Sequence, residues 1–111
     1  MILDLHMIKK YNLAEFFPGD MITLRDDIST FPFVTYLPDE NHQSLNDIYN
    51  FTCHLDESFG GFIKSDMMII ITKIFYEKEV PLIYECLSMG EIIFLLYTEG
   101  LCPNVCFVKC N

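Results

Sequence analysis

From residue 67 to residue 109 the chain repeats one device, a short run of apolar residues closed by a turn. The runs cover residues 67–76, 80–87, 91–97 and 105–109. Glu77-Lys78-Glu79, Ser88-Met89-Gly90 and Thr98-Glu99-Gly100 separate them. Isoleucine, valine, phenylalanine and tyrosine fit a pleated, half-buried surface, so runs of this length between turn-prone clusters predict an antiparallel meander. A helix over residues 81–90 competes with one of these strands. Pro81 stands near its first turn and Gly90 just past its end, with Leu82, Ile83, Cys86 and Leu87 between.

The first half reads differently. Between residues 4 and 17, Leu5, Ile8, Tyr11 and Ala14 recur near helical spacing, and Pro18-Gly19-Asp20 then breaks the pattern. This predicts an N-terminal helix, or one starting only at Asn12, where Asn12 and Glu15 have capping-box spacing. Residues 21–25 and 31–37 follow as short strands, with Pro32 placing the second at an edge because proline gives the ladder no N–H. Residues 44–55 fit either a helix capped by Ser44 or a strand in which Tyr49, Phe51, Cys53 and Leu55 alternate. The expected fold is therefore α+β: an N-terminal helix with a mainly antiparallel sheet and a strand-rich C-terminal half. One globular domain over residues 1–111 is the expected organisation.

No apolar run approaches the ~20 residues of a membrane-spanning helix, and the start, MILDLHMIKK, reverses the order of a secretory leader. An odd number of cysteines, five, then suits a reducing cytoplasm, where buried thiols act as small hydrophobes. Cys102, Cys106 and Cys110 form C-x3-C-x3-C, a poor match to the knuckles of structural zinc sites, so no metal is expected.

Catalytic motifs are missing. The five glycines form neither GxGxxG nor a phosphate loop, and no G-x-S-x-G elbow occurs. Of the three histidines, His54 follows Cys53 directly, and strand neighbours point to opposite faces, which prevents a Cys–His dyad. Neither enzymatic activity nor a cofactor is expected.

Charge is the stronger signal. The net charge is −9, which opposes direct nucleic-acid binding, and residues 11–63 carry −8 of it, with nine acids against Arg25. Ten of the sixteen aromatics share the first 63 residues. Three acidic doublets, Asp26-Asp27, Asp39-Glu40 and Asp56-Glu57, close apolar runs, and an aromatic lies near each. One reading is solvated loops around an aromatic core. The other is a binding surface in which carboxylates steer a basic protein and aromatics anchor it, with Tyr36 and Phe59 as the anchors. Phe59-Gly60-Gly61-Phe62 is read either as a tight turn with both rings tucked inward or as an exposed aromatic loop.

In size, charge and lack of catalytic groups the chain resembles an immunity protein. The resemblance implies an acidic inhibitor that covers the basic active-site or substrate-binding surface of a cognate bacterial toxin nuclease. Asp26, Asp27, Tyr36, Asp39, Glu40, Asp56, Glu57 and Phe59 would bind the partner. The alternative is a structural or assembly subunit, for instance a viral one, that forms a homo-oligomer through its apolar strand-rich C-terminal half, where exposed strand edges would pair. Neither reading involves a membrane.

Overall fold

A computed structural model of the chain describes residues 15–35, 59–77, 79–97 and 102–110; for Phe59 and Glu77 only the backbone is described. Seven strands form one antiparallel sheet: β1 (Met21–Leu24), β2 (Thr30–Val34), β3 (Phe59–Lys64), β4 (Met68–Glu77), β5 (Val80–Ser88), β6 (Glu91–Leu96) and β7 (Phe107–Lys109). Their spatial order is β3-β2-β6-β5-β4-β1-β7. Among the described residues the single helix is one turn, α1 (Pro103–Cys106).

The α+β expectation is thus overturned: the described residues form a curled antiparallel half-barrel sheet with almost no helix. Of the expected N-terminal helix, residues 15–17 are not helical, and residues 4–14 lie outside the described set. The physical reason is visible at Phe16. Its ring is 2% exposed and meets Tyr84 edge-on at 6.1 Å, so it serves the sheet's core rather than a helix stripe. The chain then runs beside β4, with Gly19 N–H donating to Ile71 C=O and Ile71 N–H to Asp20 C=O. At the Pro18-Gly19 turn Phe17 N–H donates to the Asp20 carboxylate at 2.8 Å.

The expected meander is present as β4-β5-β6, and residues 81–88 are strand rather than helix. Met89 (φ 51°) and Gly90 (φ 83°) both take positive φ, the pattern of a two-residue type I′ hairpin loop. Pro32 is tolerated because β2 meets β6 in register only at Val34 and Phe94, so opposite β3 the strand is nearly an edge there. Phe59-Gly60-Gly61-Phe62 is neither a turn nor a loop; it lies within β3. A Cβ on Gly60 would stand 2.6 Å from both Phe33 Cε2 and Thr35 Cγ2, so glycine is needed for the Phe33 side chain to lie this close to the β3 backbone. Residues 44–55 lie outside the described residues.

Alternation sets the inner face. Ile22, Leu24, Phe31, Ile63, Ile69, Ile71, Tyr84, Cys86, Ile93, Leu95 and Phe107 form its core with Phe16. Phe31 of β2 and Phe107 of β7 meet at 5.1 Å although four strands separate them in the sheet, so the sheet curls until its two sides touch. At one side α1 is fastened by the Tyr84 hydroxyl, which donates to Asn104 Oδ1 at 2.6 Å in a fully buried setting. A second cluster of Val34, Val80, Leu82, Ile83 and Leu96 continues the apolar packing.

Candidate functional site

Register determines which turns share an end of the sheet. β1 finishes where β4 begins (Thr23 opposite Met68), and β5 finishes there too, with Leu87 opposite Ile70 and Ile92. The turn after β1, the turn before β4 and the β5–β6 hairpin loop therefore crowd together. Thr23 Oγ1 donates to Met67 C=O at 3.0 Å, tying the first two. Asp26, Asp27, Asp66 and Glu91 are all exposed at this end, against the cations Arg25 and Lys64. Arg25 is half-buried with its Nε enclosed, so part of its guanidinium is withdrawn from solvent.

Of the residues singled out in the sequence, Asp26 and Asp27 fall on this acidic end. Phe59 sits at the start of β3 opposite Val34. Tyr36, Asp39, Glu40, Asp56 and Glu57 lie outside the described residues. Asp66 and Glu91 were missed because each is a single acid inside the strand-rich half, and only the antiparallel register carries them to the Asp26-Asp27 turn.

The outer face holds a second feature. Met21, Ile70, Leu87 and Ile92 stand opposite one another on β1, β4, β5 and β6, forming one row across four neighbouring strands. They are 37%, 36%, 38% and 47% exposed, and Met68 beside them is 60% exposed. Scattered surface apolars need no explanation, but a contiguous row on central strands is the pattern of an interaction surface. In the neighbouring row Lys73 of β4 stands opposite Glu85 of β5. The Lys73 ammonium lies 4.6 Å from the centre of the Phe75 ring, while Glu85 accepts from Thr72 Oγ1 at 2.8 Å.

The chemistry of the remaining groups is muted. Burial pushes the Cys86 thiol up to about 12, with the Glu85 charge adding to it. Burial also raises Cys102 and Cys106, although nearby backbone hydrogen bonds act the other way. Thiols held above their ordinary value stay protonated at neutral pH and are poor nucleophiles. Among the described residues no three His, Cys, Asp or Glu side chains group to hold a metal ion. A cleft of about 20 Å³ between Glu15, Tyr76, Glu79, Tyr84 and Asn104 has room for one water rather than a substrate. Its rim raises the Tyr76 hydroxyl by burial and by the Glu15 charge. No helix among the described residues is long and apolar enough to cross a membrane. Compared with protein-family models, curated proteins and solved structures, the chain matches none.

Proposed function

We propose that the chain is a protein-binding domain that neutralises a basic partner, an acidic inhibitor of the immunity-protein kind. The observation that supports this reading is the acidic end, where two turns and the first residue of β6 present Asp26, Asp27, Asp66 and Glu91 to solvent. Carboxylates held at one pole of a rigid sheet speed encounter with a cationic surface and fix its orientation. The partner is taken from the native host by co-purification and its binding to the isolated chain followed against salt. Replacing Asp26, Asp27 and Asp66 by lysine lowers the association rate about tenfold or more at low salt, and the gap narrows as salt rises. An association rate and salt dependence unchanged by the triple reversal would refute the proposal.

The assembly-subunit reading keeps a place because of the exposed apolar row on the outer face. Edge pairing through the apolar strands β4 and β6 is ruled out, since β4 lies between β5 and β1 and β6 between β5 and β2.

A further inference from the structure

We infer that the cleft beside the β4–β5 turn is a binding site for a primary alkylammonium group, whose charged head fits inside it. The cleft takes Tyr76 from the end of β4 and Glu79 from the turn, so it lies at the opposite end of these strands from Asp26, Asp27, Asp66 and Glu91. The inference is therefore independent of the acidic end. A shift of register builds the site. Ile83 stands opposite Phe75, but Pro81 rather than Leu82 stands opposite Tyr76, so Leu82 is the extra residue of a β-bulge. The shift sets Pro81 beside Tyr76 at the cleft, while Phe16 and Tyr84, fully buried and meeting edge-on at 6.1 Å, close its inner side.

The lining accepts hydrogen bonds and carries negative charge. The Tyr84 hydroxyl donates its proton to Asn104 Oδ1 at 2.6 Å, so toward a ligand its oxygen can only accept. Half-buried Glu15 and exposed Glu79 add two carboxylates, and neither has a cationic partner among the described residues. Burial and then the Glu15 charge raise the Tyr76 hydroxyl, which sets that carboxylate near the phenol. Among the described residues no lysine, arginine or histidine joins the lining. A ligand must therefore bring both the positive charge and the donors. The volume, about 20 Å³, limits the head to the size of one water. An ammonium meets that limit with three donors on a compact charge, whereas the planar fork of a guanidinium is too wide. A calcium ion is not served, since it needs six or more oxygens and no three acidic, histidine or cysteine side chains group among the described residues. Half-exposed Tyr76 and neighbouring Pro81 give an alkyl stem an apolar surface to lie on.

The test is a titration of the isotope-labelled whole chain at neutral pH and fixed ionic strength, followed by amide correlation spectra. n-Butylammonium chloride, from about 0.1 to 50 mM, should shift the resonances of Tyr76, Glu79 and Tyr84 and the side-chain amide of Asn104 along one saturable curve, with a Kd of about 10 mM or below. n-Butanol, the same stem with a neutral head, should bind at least about tenfold more weakly. Glu15→Gln combined with Glu79→Gln keeps the size of both side chains and removes their charge, and should weaken butylammonium binding about tenfold or more. Nα-acetyl-lysine methylamide separates the two sources of such a group. Binding as tight as butylammonium points to the lysine of a protein ligand and weaker binding to a free amine, and either result supports the inference. No saturable shift at these residues up to about 50 mM butylammonium, the mark of a cleft that holds water only, overturns it. So does n-butanol that binds as tightly as the amine, or a folded double variant that binds as the wild type does. Circular dichroism verifies folding, and the comparison of butylammonium with n-butanol on the wild type decides the matter even if the double variant does not fold. Failure here leaves the function proposed above intact, because no residue of the acidic end takes part.

Discussion

Replacing Phe107 by alanine tests whether the contact between the two sides of the curled sheet maintains the half-barrel. Phe107 is fully buried, and its ring meets Phe31 edge-on at 5.1 Å and 66°. Truncating a buried phenylalanine costs about 3–5 kcal/mol, combining lost transfer energy with the cavity left behind. The edge-to-face pair accounts for about 0.5–1.5 kcal/mol beyond burial alone. Against a total stability of about 5–15 kcal/mol for an ordinary domain, the loss is large. β7 is three residues long and, among the described residues, pairs with β1 alone, so the Phe107 contact is a large part of what holds it against the far side of the curl. Urea unfolding followed by far-ultraviolet circular dichroism should show the midpoint falling by about 1–5 M at a typical slope of about 1–3 kcal/mol/M. A double-mutant cycle with Phe107→Leu and Phe31→Leu, which preserve more volume, isolates the ring pair. A coupling energy near zero together with a Phe107→Ala loss below about 1 kcal/mol would refute the idea that this contact closes the curl.

Two further outcomes are expected. Gly60→Ala inserts a Cβ 2.6 Å from Phe33 and Thr35 side-chain atoms and should destabilise by about 1–3 kcal/mol, measured by thermal unfolding; Phe33→Ala should recover part of that loss. Because burial raises Cys86 from 9.0 to about 12, the folded state favours the protonated thiol. Its contribution is therefore complete below pH 9 and is lost as pH rises toward 12. Stability followed by urea titration from pH 8 to 11 should fall above pH 9, and Cys86→Ala should make that fall shallower by up to about 1.4 kcal/mol per pH unit.

The β4-β5-β6 meander was legible because its separators are strong local signals: a charged triplet at 77–79 and a glycine at 90 that supplies the positive φ of the hairpin. β3 was hidden by the same kind of signal. Gly60-Gly61 looks like a turn, and nothing local shows that the pair instead makes room for Phe33 from another strand. Residues 15–17, the end of the helix expected over 4–17, are not helical because Phe16 belongs to the core of a sheet assembled mostly from later residues; residues 4–14 lie outside the described set. At the other end the run 105–109 divides, with Val105 and Cys106 in α1 behind Pro103 and only Phe107–Lys109 in a strand. The outer apolar row could not be seen in sequence, since β4 is apolar on both faces and its alternation is invisible. Register and burial show which face is left uncovered. The acidic end was half legible: Asp26-Asp27 stood out as a doublet, while Asp66 and Glu91 join it only through strand pairing.

The position of β1 in the sheet also sets an order of assembly. β4, β5 and β6 are hairpin neighbours and can pair while the chain is being made, but β1 must wait for β4, and β7 then takes the far side of β1. Strand pairings this distant in sequence fold slowly, because loop closure comes before the contacts that reward it. Until Phe107 has been synthesised and seated against Phe31, Leu24 lacks its strand partner and the sheet keeps an open seam along β1. A nascent chain stalled before residue 107 should therefore be the species most open to proteases and to pairing with other chains.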